Sequence, residues 1–249
     1  MKAEVLADPE AVAHRAAVFV AGEARRAARE RGRFLMALSG GTTPSRMLEL
    51  LAEEDVPWPL VHVFQVDERV VGASDPARNF TRLRTGLLEK VPVPADQVHP
   101  MPVEEADLSR AAARYSATLR EVAGTPPVLD LVHLGLGEDG HTASLIPGDP
   151  VLDEVELEVA VTGSYRGFRR MTLTYPMLDR ARRILWLVTG PGKMEALLRL
   201  CRGDRSIPAG RVLKERALLL ADGVTMKGLP AGLRVSDPCQ TGEGRRKDT

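Results

Sequence analysis

The sequence is short of several things, and each shortage removes a class of protein. Two cysteines in 249 residues, Cys201 and Cys239, are too few for a disulfide framework or a cysteine-built metal cluster. Net charge is absent: 34 basic residues cancel 34 acidic ones, so no overall field draws the chain to nucleic acid or an anionic membrane. Lysine is scarce, with six in the chain, so most of the positive charge is arginine. Apolar runs such as RILWLVTG fall far short of the roughly 20 residues a membrane-spanning helix needs. The opening MKAEVLADPEAVAHR lacks the uninterrupted apolar stretch of a secretory signal. The Walker A spacing of an ATP-binding loop occurs nowhere. These absences predict a cytoplasmic protein without metal, membrane or nucleic acid. If its ligand is an anion, the charge that holds it is local.

What remains is ordinary globular material, 44% hydrophobic and 27% charged, in a strict alternation of patterns. Asp8-Pro9 reads as an N-cap and first helical residue, opening an Ala-rich helix that stops at Gly32. FLMALSG is a short apolar run of the kind buried on both faces of a sheet. The helix SRMLELLAEE, the strand VHVFQV and the helix FTRLRTGLLEK follow, then a Pro-rich passage. DLSRAAARYSATLREVAG is a capped helix. Beyond it come the strands LDLVHLGLG, LEVAVT, MTLTY and RILWLVTG, the helix KMEALLRL and a last strand, ALLLA. Alternation over this length predicts an α/β fold, Rossmann-like, with a doubly wound and mostly parallel sheet and helices on both faces. Residues 1–236 are expected to form a single domain and 237–249 a flexible tail, because SDPCQTGEGRRKDT has no apolar periodicity.

In such sheets ligands bind outside the carboxyl ends of the strands. Four strand exits carry unusual residues: SGGTTP, DER, GEDGH and TGPGK. In SGGTTP, Gly40 and Gly41 let backbone approach a ligand, and Thr42 leads into a helix whose free N–H groups favour an anion. Lys193 opens a helix, where acids are preferred, so its ammonium calls for an anionic partner. Asp67-Glu68-Arg69 offers a donor, Arg69, for carboxylate or phosphate oxygens, and an acid, Asp67, able to orient a hydroxyl.

The stretch LGLGEDGHTASLIPG holds Gly135, Gly137 and Gly140 in the G-x-G-x-x-G spacing of a dinucleotide loop. Such a loop needs a full helix after its third glycine, and Pro147-Gly148 ends any helix begun here within about two turns. Acid–base chemistry is the stronger reading. A carboxylate beside an imidazole fixes its tautomer and stabilises its charged form, and a glycine turn can bring Asp139 and His141 together. His133, inside the strand, reads as a satisfied core residue.

Taken together, SGGTTP, VDERVV with Asn79 downstream, LGLGEDGHTASLIPG, RRMTLTYPML and VTGPGKMEAL resemble successive blocks of the 6-phosphogluconolactonase family, from about Ser39 to Ala221. The resemblance implies hydrolysis of a phosphorylated sugar lactone in the oxidative pentose phosphate pathway, with no cofactor, by a monomer or small homo-oligomer. It implies catalytic roles for His141, Asp139 and Asp67. It further implies phosphate or substrate contacts from Gly40, Gly41, Thr42, Arg69, Lys193, Arg170 and Asn79. The wider superfamily includes glucosamine-6-phosphate deaminase, whose D-G-H block continues to a glutamate five residues after the histidine. Here that position is Ile146, which cannot move a proton. The alternatives are thus a deaminase or isomerase that has lost a required acid, and a non-catalytic sugar-phosphate sensor. The sensor would carry a DNA-binding helix pair, for which the first thirty residues offer a single helix.

Overall fold

A computed structural model of the chain describes residues 1–41, 43–223 and 225. Among these residues, ten strands form two sheets. The large sheet has seven strands in the order β1 (Lys2–Leu6), β10 (Ala217–Asp222), β9 (Ile184–Val188), β6 (Leu131–Gly135), β2 (Phe34–Leu38), β3 (Val61–Gln65) and β5 (Val98–His99). Every pairing in it is parallel. The small antiparallel sheet joins β4 (Asp67–Arg69), β8 (Arg170–Leu173) and β7 (Val159–Val161).

The central strands read as continuous apolar runs because both of their faces are covered. On β9, Ile184, Trp186 and Val188 enter one core and Leu185 and Leu187 the other; β2 divides its five residues in the same alternating way. Helices α1 (Pro9–Arg31) and α2 (Thr43–Leu51) close one face, with Leu83 of α3 (Asn79–Gly86). Helices α4 (Leu108–Ala123), α5 (Tyr175–Asp179), α6 (Met194–Arg202) and α7 (Pro208–Arg211) close the other. The Asp8 side chain accepts from the Ala11 N–H at 2.8 Å, and Gly32, at φ 73°, ends α1 in the left-handed conformation glycine favours. Asp107 caps α4 likewise. No described helix is long and apolar enough to cross a membrane.

Besides β5 inside the Pro-rich passage and the short α7, two larger features depart from the sequence expectation. The chain opens with a strand, β1, ahead of the first helix. It was hidden because Glu4 occupies a buried strand position, where Arg15 at 2.7 Å and Lys2 at 3.0 Å neutralise it. The segments DER, LEVAVT and MTLTY form a sheet of their own rather than extending the large one. The path bends at Val66, whose N–H donates to Leu38 while its carbonyl accepts from Leu173 on β8. The expected tail, 237–249, lies outside the described residues.

The strand order also locates a crevice. From β2 the chain moves to β3 on one side; from β6 it passes, by way of the small sheet, to β9 on the other. Connections that part in opposite directions from neighbouring strands leave a gap at their carboxyl ends, here between β2 and β6.

Candidate active site

A cavity of about 260 Å³ opens at that gap. The four unusual exits leave β9, β6, β2 and β3, which are consecutive neighbours in the sheet, so their loops meet around one space. Gly40, Gly41, Asp67, Arg69, Asn79, His141, Arg170 and Lys193 all line it. Asp139 stands directly behind His141. Thr42 lies outside the described residues. The Gly40 and Gly41 amides donate to no acceptor among the described residues, and both glycines line the cavity.

The acid–base pair is built by a glycine turn. Gly137 N–H donates to the His141 carbonyl at 2.8 Å and Gly140 N–H to the Gly137 carbonyl at 3.0 Å, folding the loop back on itself. The fold-back sets His141 Nδ1 2.5 Å from Asp139 Oδ1, so Nδ1 carries the proton and Nε2 is left as a base on a ring that lines the cavity. A side chain at Gly137 would collide with both partners, its Cβ falling 2.0 Å from His141 Nδ1 and 2.5 Å from Asp139 Oδ1. Gly140 sits at φ 82° with Ile207 against it. Gly137 and Gly140 of the G-x-G-x-x-G spacing therefore serve the turn and the pair, and no α-helix begins between Gly140 and β7. Burial pushes the Asp139 carboxyl up, but hydrogen bonds from Tyr165 and His141 and the charge of His141 outweigh it. The net shift is downward, which keeps a carboxylate behind the ring.

The rest of the charged lining is mostly cationic. Arg69, Arg166, Arg170 and Lys193 line the cavity against one acid, Asp67, which supplies the local positive charge that a neutral chain needs for an anion. Arg69 on β4 is the register partner of Arg170 on β8, a like-charge pair that destabilises a sheet unless something anionic answers it. Arg69 Nε and Arg170 Nε are buried with no hydrogen-bond partner among the described residues. Burial holds the Arg170 guanidinium below its usual value, against the pull of Asp67. Unmet buried donors of this kind await an acceptor.

Several interactions hold these groups in place. Glu68, wholly buried, accepts from the backbone N–H groups of Arg69 (2.7 Å), Asn79 (2.8 Å) and Phe80 (2.8 Å), and from Gln65 Nε2 (2.8 Å). It thereby caps α3 and ties it to β4. Asn79 Nδ2 donates to the Asp67 carbonyl at 3.1 Å, and its Oδ1 lies where a Cβ on Gly40 would stand, 2.2 Å away, so only glycine fits there. Ser144 Oγ donates to Asp67 Oδ2 at 2.6 Å, joining the His141 loop to β4. Asp222, at the end of β10, accepts from Gly190 N–H at 3.1 Å and steadies the loop that carries Lys193.

Sequence reasoning missed Arg166, Tyr165 and the bracing role of Glu68. VTGSYRGFRR contains no motif, and its one signal, a glycine after an arginine between hydrogen-bonding residues, is common to many turns. His133 is only half satisfied: its Nδ1 lies 3.4 Å from Ser39 N while Nε2, fully buried, has no partner among the described residues. No described group of three or more His, Cys, Asp or Glu side chains is arranged to hold a metal.

Comparisons with known proteins give the chain's family and fold. Residues 7–220 match the family described as glucosamine-6-phosphate isomerases/6-phosphogluconolactonase. The chain is 41% identical over 198 residues to the 6-phosphogluconolactonase of Synechocystis sp., covering 78% of this chain and 82% of that one. It is 36% identical over 242 residues to that of Mycobacterium tuberculosis, covering 92% and 98%. Among solved structures, a 6-phosphogluconolactonase from Thermotoga maritima superposes with a TM-score of 0.80 at 25% identity, over 89% of this chain and 98% of that one. A monomeric glucosamine-6-phosphate deaminase shares the fold, with a TM-score of 0.78 at 18% identity over 94% and 100%. With residues 7–220 matched by the family and 36–41% identity to its members over most of both chains, the chain belongs to the glucosamine-6-phosphate isomerase/6-phosphogluconolactonase family.

Proposed function

We propose that the chain is a 6-phosphogluconolactonase, hydrolysing 6-phospho-D-glucono-1,5-lactone to 6-phospho-D-gluconate in the oxidative pentose phosphate pathway of the cytoplasm. The observation that carries this reading is the Asp139–His141 pair facing a cation-lined cavity. The substrate phosphate docks at the Gly40–Gly41 turn, with Lys193 and Arg170 supplying charge. This anchors the sugar so that its C1 carbonyl lies near His141. His141 Nε2 takes a proton from water as the water oxygen attacks C1. Arg69 steadies the oxyanion that forms. The tetrahedral intermediate then collapses, the bond from C1 to the ring oxygen breaks, and the imidazolium returns its proton to that oxygen. Asp67 and Asn79 bind or orient the sugar end. General-base help is typically worth ~10²–10⁴ in rate, enough for a lactone that already hydrolyses unaided.

Isomerase or deaminase chemistry finds no support at position 146, where Ile146 is buried and cannot relay a proton. The test follows acid release from freshly made lactone, with spontaneous hydrolysis subtracted. His141→Ala is expected to lose ~10²-fold or more in kcat while still binding 6-phosphogluconate. Hydrolysis near the wild-type rate in that variant would remove the imidazole from the reaction.

A further inference from the structure

Tyr165 has no part in the reaction as written, yet it touches both sides of the site. Its hydroxyl donates to Asp139 Oδ2 at 2.8 Å, the carboxylate oxygen that His141 Nδ1 does not use. Its ring meets the His141 ring edge-on, with centroids 5.6 Å apart at 64°. The guanidinium groups of Arg166 and Arg170 stand over the same ring at 5.2 and 5.3 Å. Both arginines line the cavity, so one side chain lies between the ligand-facing cations and the carboxylate behind the base.

The local backbone is built to present it. Tyr165 N–H donates to Phe168 at 2.9 Å and Phe168 N–H returns to Tyr165 at 3.2 Å, closing a two-residue hairpin over Arg166 and Gly167. Both turn residues have positive φ, 51° and 84°, the primed-turn pattern whose twist suits paired strands. Glycine accepts that conformation; arginine does so only at a cost, and strain of this kind persists where the surroundings over-determine it. Burial and the adjacent Asp139 charge push the phenol up, so it remains the donor throughout the neutral range.

We propose that Tyr165 is a positioning residue for the Asp139–His141 pair. Its hydroxyl holds the carboxylate in the orientation that fixes the His141 tautomer, and its ring seats Arg166 and Arg170 against the cavity. The inference deepens the lactonase reading and rests on it for its kinetic arm alone. The groups facing Asp139 are His141 from its own loop and, from the hairpin side, Tyr165 with Arg166 and Arg170 behind it; Glu138 turns instead toward Gly192.

Tyr165→Phe removes the hydroxyl and keeps the ring. Its kcat for lactone hydrolysis is expected to fall about tenfold with KM within twofold of wild type, and the loss is expected to vanish when the same change is made in an Asp139→Asn background. Tyr165→Leu, which also removes the ring, is expected to raise KM. Independently of turnover, the Asp139 carboxyl carbon followed by NMR is expected to titrate at higher pH in Tyr165→Phe than in wild type. An unmoved titration, or a tenfold loss that persists without the Asp139 carboxylate, would overturn the assignment. A wild-type protein that releases no acid from the lactone would sink the lactonase reading, and the carboxyl titration would still decide the role of Tyr165.

Discussion

A single methyl group at Gly137 offers a sharp probe of the site. Gly137 has an ordinary backbone conformation, so alanine is free of backbone strain there. The added Cβ, however, would stand 2.0 Å from His141 Nδ1, and the ring must retreat by about 1.4 Å to reach ordinary contact at 3.4 Å. The same methyl presses on Asp139 Oδ1 at 2.5 Å, so the two partners cannot move away together and keep their bond. Displacement of reacting groups by about 1 Å costs on the order of 10² in rate, and full loss of a general base ~10²–10⁴, or about 2.7–5.5 kcal/mol of transition-state stabilisation. Stability should hardly change. The His141 and Asp139 side chains are 22% and 34% exposed and can swing outward, at a rotamer cost of ~0.5–1.5 kcal/mol. Alanine recovers ~0.4–1 kcal/mol of that by restricting the unfolded chain. Gly137→Ala is therefore expected to melt within a few degrees of wild type, bind 6-phosphogluconate, and lose at least 10² in kcat/KM for the lactone. A variant that keeps a third or more of wild-type kcat/KM would refute the claim that the 2.5 Å pair is the reacting unit. A melting temperature lowered by ten degrees or more would show the glycine to be a packing requirement instead.

Other consequences can be checked alongside it. Lys193→Ala should raise KM by roughly 10–100-fold, the worth of a charge-assisted hydrogen bond, with a smaller change in kcat; a defect confined to kcat would place the lysine at the reacting carbon. Glu68→Ala strands the N–H groups of Arg69, Asn79 and Phe80 together with buried Arg78, and should cost about 3–5 kcal/mol in urea unfolding. A cost below about 1 kcal/mol would deny Glu68 its bracing role. Burial pulls His133 down to about 4 in the folded chain, from about 6.5 when unfolded. Between those values the unfolded chain binds the extra proton. The contribution of His133 is therefore complete above pH 6.5 and falls by about 3 kcal/mol as pH drops to 4. His99, also pulled to about 4 by burial and then by His62, acts in the same direction. Urea midpoints at pH 7.5 and 4.5 should show that slope, and His133→Asn should reduce it, leaving the share due to His99.

Much of this site could be read from the sequence because its parts are local. A glycine pair before a helix, a carboxylate two residues from an imidazole, and a lysine at a helix start each signal within a few residues. Their convergence follows from parallel strands, which place all carboxyl ends on one edge. What escaped depends on distant partners. Glu4 looks like a surface residue until Arg15, eleven positions on, reaches it. Glu68 looks like one of a charged triplet until α3 begins at Asn79. Tyr165 and Arg166 matter only because a tight turn swings them over a loop more than twenty residues earlier in the chain. The antiparallel grouping of β4, β7 and β8 was hidden for the same reason, since the bend at Val66 depends on bonds to Leu38 and Leu173.

The division of the chain into two sheets has a thermal corollary. The imidazole loop, the glycine turn and the lysine loop spring from the interior strands of the large sheet, which open only when the whole molecule melts. The arginines ride on a three-stranded patch of short strands at its side, with far less to hold it together. Warming should thus loosen Arg69 and the Tyr165 hairpin before the Gly40–Gly41 turn and the Lys193 loop, so that turnover at saturation fades ahead of phosphate affinity. Deuterium uptake should reach residues 159–173 well before it reaches β2, β6 or β9.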